Sequence, residues 1–142
     1  MKIYYSPDEI LRLIEGFENG TLPKEQWTHQ AHLGMAVWYL SKLDVPEATN
    51  IIRNGIKCYN AAVGGENTDT SGYHETITLF YIWFVKKFLT KSNSENSLLE
   101  NANNFCTQHG DANLPFEYYS KELLMSVEAR RNWVEPDLRQ MI

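Results

Sequence analysis

Long apolar runs are scarce in this sequence of 142 residues. The longest uninterrupted apolar stretch runs from Leu79 to Val85, whereas a membrane-spanning helix needs about 20 apolar residues. Residues 1–8 also lack the apolar segment of a secretory signal peptide, because a proline and an acid already occur within them. We therefore expect a cytoplasmic protein with no membrane span and no signal peptide.

Clusters of basic residues are missing as well. The 13 Lys and Arg residues are outnumbered by 18 Asp and Glu, which gives a formal net charge of −5, and adjacent basic residues occur only as the pairs 86–87 and 130–131. Nucleic-acid-binding domains concentrate positive charge on one face. We therefore expect no nucleic-acid partner.

Cysteine is rare, and several familiar catalytic motifs do not occur. We expect Cys58 and Cys106, which lie in separate apolar helical patterns, to be buried free thiols; a single disulfide is the alternative. The zincin motif fails because Thr78 stands where a second histidine would follow His74. The sequence also has no Cys-x-x-Cys, no Glu-x-x-His pair, no EF-hand loop and no Gly-x-Ser-x-Gly elbow. Metalloprotease, di-iron, EF-hand and serine-hydrolase readings of these kinds are therefore excluded.

Helix start signals, by contrast, recur in front of apolar residues that repeat every three or four positions. The predicted cap residues are Ser6, Thr28, Asp44, Ser71 or Gly72, Ser92, Ser120 and Ser126. Hydrophobic residues make up 43% and aromatic residues 13% of the chain, enough for one core at this length and too little for two. The sequence therefore predicts an all-α fold, a single-domain bundle of about six helices over residues 1–142.

Histidines stand at informative positions in two of these helices. His29 and His32 begin an apolar stripe three residues apart, so both imidazoles should face the interior and lie close to one another. His74 is expected in the first turn of another helix. The three rings could bind a divalent transition metal such as zinc, iron or nickel. Two alternatives remain open, a metal-free polar pocket and purely structural histidines.

Two charged residues accompany this predicted site. Glu75 follows His74 and shares a stripe with apolar residues, so its carboxylate should be partly buried and in need of a partner. Arg130, in a predicted short helix, is the candidate partner because an arginine can bind a carboxylate through two parallel hydrogen bonds. We predict catalytic roles for both, with Glu75 as the general base. The alternative is that Arg130 is solvated.

A polar loop from Gly64 to Gly72 leads into the predicted helix that carries His74. Free backbone N–H groups at a helix start can hold an anion, and helix connections longer than about 8 residues are more often functional. A plain connection is the alternative. The predicted substrate-binding residues in and near this loop are Asn60, Asn67, Thr70 and Tyr73.

The motifs carrying these residues resemble a family of small bacterial all-helical proteins. They are Trp-Thr-His-Gln-Ala-His-Leu (27–33), Tyr-Asn (59–60), Gly-Tyr-His-Glu-Thr-Ile-Thr (72–78), Ser-Val-Glu-Ala-Arg (126–130) and Trp-Val-Glu-Pro-Asp-Leu (133–138). The resemblance implies a single-domain bacterial cytoplasmic protein and brings no reaction with it. DinB-type bundles are a looser analogy at the level of the fold, since they hold a metal with three histidines between helices.

Three kinds of function fit these observations. The first is a metal-dependent enzyme that acts on a small polar substrate. The second is a metal-free protein that binds a small molecule. The third is a protein-interaction module with structural histidines, for which Trp38, Trp83 and Trp133 are candidate contact residues. The sequence leaves the oligomeric state open, including a homo-oligomer.

Overall fold

Seven α-helices form the structure, a computed structural model that describes residues 3–4 and 6–142. They are α1 (Pro7–Asn19), α2 (His29–Lys42), α3 (Val45–Ala62), α4 (Glu75–Lys91), α5 (Leu98–His109), α6 (Lys121–Leu124) and α7 (Val127–Arg131). Short 3-10 turns occupy Lys24–Gln26 and Leu114–Glu117. The chain is 65% helical with no strand among the described residues, which confirms the predicted all-α single-domain bundle.

Most predicted caps act as expected. The Thr28 side chain accepts a hydrogen bond from the backbone N–H of Ala31, and Asp44 accepts one from Glu47. Ser120 and Ser126 cap α6 and α7 in the same way. Each such bond satisfies a backbone donor that the helix leaves unpaired and contributes about 1 kcal/mol.

Two of the predicted helix starts are wrong. Ser92 ends α4 rather than starting α5, because the Asn93 side chain accepts the Glu95 N–H and holds that segment in a turn. The complete capping box lies five residues later, at Ser97 and Glu100. At the start of α4 the cap is His74, not Ser71 or Gly72. Ser6 stands at the expected position but makes no side-chain cap.

Helix α2 is the most enclosed element. Leu33, Met35 and Val37 are at most 2% exposed although they point to different sides of the helix, and α2 packs against α1, α3, α4 and α5. Gly34 permits the closest approach, because a Cβ there would collide with the hydroxyl of Tyr4. The N-terminal end of α2, which carries His29 and His32, is therefore held in place by most of the bundle.

The C-terminal segment packs on α4 through a second apolar cluster. Its buried residues are Phe80, Leu114, Tyr118, Tyr119 and Leu124. Thr76 of α4 joins the segment by donating a hydrogen bond to the carbonyl of Asn132 (2.6 Å) and accepting one from the N–H of Val134 (3.2 Å). These bonds hold α7, and with it Arg130, beside the start of α4.

Two further predictions concern the burial of the cysteines and the presence of a membrane-spanning helix. Cys106 is buried, but Cys58 is exposed, so the prediction that both thiols are buried is wrong for Cys58. Over the described part of the chain, no helix is long and apolar enough to cross a membrane.

Candidate functional site

A hollow of about 370 Å³ lies where α2, α3 and α4 meet. We call it the α2–α3–α4 hollow. It is lined by His29, His32, Leu33, Met35, Ala36, Ile52, Ile56, Ile77, Thr78, Tyr81 and Ile82. Most of its wall is aliphatic, and the polar atoms come from only four of the lining side chains.

Two of those polar side chains hold buried atoms that have no hydrogen-bond partner in the part of the chain that the structure describes. The atoms are Nε2 of His29 and the hydroxyl of Tyr81, and the two rings meet edge to face with their centroids 5.6 Å apart. A buried polar atom without a partner costs about 1–3 kcal/mol, and native proteins contain few of them. Both atoms belong to side chains in the wall of the apolar hollow.

His32 lies one turn along α2 in a defined tautomer. Its Nδ1 is 2.7 Å from the carbonyl oxygen of Thr28, and because a carbonyl only accepts, Nδ1 carries the proton and donates. Nε2 of the neutral ring is left as an acceptor. The ring packs on Trp27, with centroids 3.9 Å apart.

Both imidazoles in the α2–α3–α4 hollow are neutral at pH 7. Burial lowers the pKa of His32 to about 4, against a smaller opposing effect of its hydrogen bond to Thr28. Burial also lowers the pKa of His29, although the charge of Asp111 opposes it. The rings therefore offer hydrogen-bonding nitrogens rather than positive charge.

His74 does not join these two histidines in a ligand set. Its Nδ1 accepts the backbone N–H of Ile77 (3.1 Å) and its Nε2 donates to the carbonyl of Leu124 (2.7 Å). Both ring nitrogens are thus used, one to cap α4 and one to join α4 to α6. Among the described residues, no group of three or more His, Cys, Asp or Glu is placed to hold a metal ion. The predicted three-histidine constellation is therefore not assembled.

A second, charged depression of about 520 Å³ lies beside the start of α4. We call it the charged cleft. It is lined by Arg53, Lys57, Asn67, Thr68, Asp69, Tyr73, Glu75, Arg130 and Arg131. Four residues predicted from the sequence, Asn67, Tyr73, Glu75 and Arg130, therefore do lie together, although His29 and His32 line the other site.

The predicted pairing of Glu75 with Arg130 is wrong. Glu75 is held by Arg53, whose Nε and Nη2 donate to the two carboxylate oxygens at 3.0 and 2.8 Å, and by the Tyr73 hydroxyl at 2.5 Å. Burial alone would raise the pKa of Glu75, but the hydrogen bonds from Arg53 and Tyr73 outweigh it and lower that pKa. Arg130 instead donates to the backbone carbonyls of Gly72 and Tyr73 (2.9 and 3.3 Å).

The predicted substrate-binding residues mostly hold the loop together. Asn67 accepts hydrogen bonds from the Asn60 side chain and from the N–H of Tyr73, and donates one to the carbonyl of Lys57. Thr70 is exposed, and its N–H is bonded to the Thr68 hydroxyl rather than directed into the charged cleft. Asn60 and Asn67 thus position Tyr73, and Thr70 lies outside both sites.

Arg53, Lys57 and Tyr81 are among the lining residues that sequence reasoning missed. Arg53 and Lys57 are one turn apart on α3, so their spacing showed a shared face, but nothing local showed that this face meets Glu75. Tyr81 follows Thr78 on the stripe that begins near His74. An aromatic residue on an apolar stripe is typical of a core, and only the packed structure shows that the Tyr81 hydroxyl has no partner among the described residues.

Fold and site together define an all-α bundle in which an apolar, imidazole-lined hollow lies near a charged cleft. No family model, curated protein or solved structure matches the chain. The motif resemblance to small bacterial helical proteins therefore stays a prediction.

Proposed function

We propose that the protein binds a small, mainly apolar organic molecule in the α2–α3–α4 hollow. The observation that carries this proposal is the pair of buried, unpartnered polar atoms, His29 Nε2 and the Tyr81 hydroxyl, in an aliphatic wall. An apolar pocket with a few convergent polar groups is the usual form of a small-molecule site. The ligand's apolar body would fill the pocket and its one polar group would bond to His29 and Tyr81.

The dimensions support a small ligand. A volume of about 370 Å³ lies at the lower end of the range of about 300–1,000 Å³ that ligand pockets occupy. Because the imidazoles are neutral, the favoured polar group is uncharged, such as a hydroxyl or a carbonyl. A charged group would lose its hydration without gaining an ion pair there.

Matched fluorinated probes test the proposal directly. We expect 4-fluorophenol to bind more tightly than 4-fluorotoluene, measured by 19F NMR line broadening and competition, because only the phenol can bond to His29 and Tyr81. A net hydrogen bond of about 1 kcal/mol corresponds to roughly a fivefold difference in affinity. Tyr81→Phe should reduce that difference.

A blocking variant with a matched control locates the binding. Thr78→Ile adds bulk in the α2–α3–α4 hollow, whereas Thr90→Ile makes the same change far along α4. Each threonine hydroxyl donates to the carbonyl four residues earlier, so the two changes remove equivalent bonds. Loss of phenol binding in Thr78→Ile alone supports the proposal. Equal affinity of both probes in every variant would contradict it.

A metal-dependent enzyme is the second candidate. The specific observation in its favour is that, among the described residues, His29 and His32 each keep a ring nitrogen without a hydrogen-bond partner, and neutral imidazole suits zinc, iron or nickel. Elemental analysis of untagged protein tests it. Stoichiometric metal that is lost in His29→Ala would support this candidate, whereas sub-stoichiometric metal with no melting shift on adding zinc would contradict it.

A further inference from the structure

The charged cleft holds more positive than negative groups, although the whole chain is acidic. Its lining contains four cations, Arg53, Lys57, Arg130 and Arg131, and two carboxylates, Asp69 and Glu75. The formal net charge of the chain is −5. The excess of cations is therefore a local feature that runs against the overall charge.

Both carboxylates are already neutralised by arginines. Arg53 binds both oxygens of Glu75, and Arg131 binds both oxygens of Asp69 at 2.6 and 2.9 Å. Such two-bond pairs fix the arginine planes. The charge of Lys57 also helps to lower the pKa of Glu75, but among the described residues neither acid forms an ion pair with Lys57 or Arg130.

Lys57 and Arg130 are those remaining cations. Within the described ranges, neither forms an ion pair. The Lys57 ammonium lies 5.0 Å from the centre of the Tyr73 ring. Arg130 uses Nη1 for two backbone carbonyls, which leaves its Nε and Nη2 hydrogens as donors. Two cations thus line one depression without an ion-pair partner among the described residues.

The surrounding loop is built in a fixed shape. Asn67 bonds the loop to α3 and to Tyr73, and Gly72 has a φ of 81° at a point where a Cβ would collide with the carbonyl of Glu66. Thr68, in the same loop, accepts a hydrogen bond from the N–H of Thr70, so its hydroxyl hydrogen remains able to donate. The lysine, the arginine and this hydroxyl come from three different segments.

We propose that the charged cleft binds a phosphate group, either free phosphate or the phosphate of a small molecule, between Lys57 and Arg130. A phosphate dianion balances two unpaired cations, and its oxygens can accept hydrogen bonds from a lysine, an arginine and a hydroxyl arranged around it. The proposal uses none of the residues that line the α2–α3–α4 hollow. It therefore stands or falls independently of the proposed function.

NMR titration of the full chain at constant ionic strength tests the proposal. We expect inorganic phosphate and phenyl phosphate to give saturable shifts at the amides of residues 57, 68 and 130, and succinate to give much weaker ones. Tighter binding of phenyl phosphate indicates the phosphate of a small molecule, and equal binding indicates free phosphate; both outcomes support the site. Succinate binding as tightly as phosphate, or the absence of saturation, would overturn it.

A pair of lysine variants supplies the control. Lys57→Met removes the charge and keeps the apolar stem over Tyr73, and Lys42→Met does the same to a lysine 4.4 Å from the centre of the Trp38 ring, outside the charged cleft. We expect Lys57→Met to weaken phosphate binding about tenfold and Lys42→Met to change it less than about twofold. Equal weakening in both variants would show general charge attraction and contradict a specific site.

Discussion

The α2–α3–α4 hollow and the charged cleft are both lined by residues of α3 and α4. They differ in how far their polar groups are hydrogen-bonded within the protein. In the cleft, Glu75 receives three hydrogen bonds from Arg53 and Tyr73. In the hollow, His29 Nε2 and the Tyr81 hydroxyl have no hydrogen-bond partner within residues 3–4 and 6–142. Paired groups stabilise the fold by themselves, whereas unpaired buried groups lower its stability until something binds to them. The hollow is therefore the stronger candidate for a site whose ligand completes its hydrogen bonding.

The largest expected effect comes from breaking the paired network. Glu75→Ala leaves Arg53 without its counter-ion and Tyr73 without its acceptor, in a pair whose side chains are only 28% and 16% exposed. We expect the free energy of unfolding to fall by about 2–3 kcal/mol, less than for a fully buried pair because Arg53 still reaches water. Urea unfolding measures it.

The matched control for Glu75 is Asp69, which binds Arg131 in the same two-bond geometry but at the surface. Asp69→Ala should lower the free energy of unfolding by less than about 0.5 kcal/mol. If both variants lose the same free energy of unfolding, burial does not explain the stabilisation by the pair of Glu75 and Arg53.

His74 should behave as a structural residue. His74→Ala removes the cap of α4 and the bond to the Leu124 carbonyl, and we expect a loss of about 2 kcal/mol by urea unfolding. His74→Asn restores a capping oxygen but not the bond to α6, so it should recover about half of that loss. Unchanged stability in His74→Ala would show that the ring is free for another role.

As the pH falls, the stability that neutral His32 provides in the hollow should be lost before the stability that ionised Glu75 provides in the cleft. The pKa of His32 is lowered from 6.5 to about 4, so the folded state favours the neutral ring. The stability that this preference provides is complete above pH 6.5 and is lost as the pH falls from 6.5 towards 4. The carboxylate of Glu75, whose pKa is lowered, stays ionised over most of that window.

Unfolding at pH 7 and pH 5 measures this difference. Between pH 7 and pH 5, His32 should account for a loss of about 1–2 kcal/mol in the free energy of unfolding. This is less than the full linkage value because the ring is only half-buried. His32→Gln should lose that much less stability than the wild type between the two pH values. An identical pH dependence in the variant would show that His32 is solvated.

The smallest expected effect concerns two Tyr→Phe substitutions, which should change the free energy of unfolding in opposite directions. Tyr81→Phe removes a buried hydroxyl that has no partner in the described ranges and should raise the free energy of unfolding of the ligand-free protein by about 0.5 kcal/mol. Tyr119→Phe removes a hydroxyl that donates to the Val134 carbonyl at 2.7 Å and should lower it by about 1 kcal/mol. Thermal unfolding of the pair checks both, and a loss in Tyr81→Phe would show a hidden partner.

Helix caps could be predicted from the sequence where the capping bond joins residues close together in the chain. Thr28, Asp44, Ser120 and Ser126 were identifiable as caps because each bonds to an N–H three residues on. The box at Ser92 failed because Asn93, its immediate neighbour, captured the same N–H of Glu95. Competition between short-range alternatives is difficult to resolve from spacing alone.

The site was harder to predict than the helices. The cap of α4 lies two or three residues later than predicted, at His74, so the ring nitrogens of His74 bond to the backbone and not to an ion. The partner of Glu75 came from α3, 22 residues away, and that choice depends on how two helices pack. Clustering of Glu75, Tyr73, Asn67 and Arg130 followed from their loop and helix-end positions, but the division into two sites did not.

Side-chain 15N NMR of the histidines on adding 4-fluorophenol tests the central claim most directly. If the α2–α3–α4 hollow completes its hydrogen bonds with a ligand, the Nε2 resonance of His29 should shift as the probe saturates. The Nε2 resonance of His74, already bonded to Leu124, should stay unchanged. Saturable probe binding that leaves His29 Nε2 unmoved, or that shifts both histidines equally, would contradict the account.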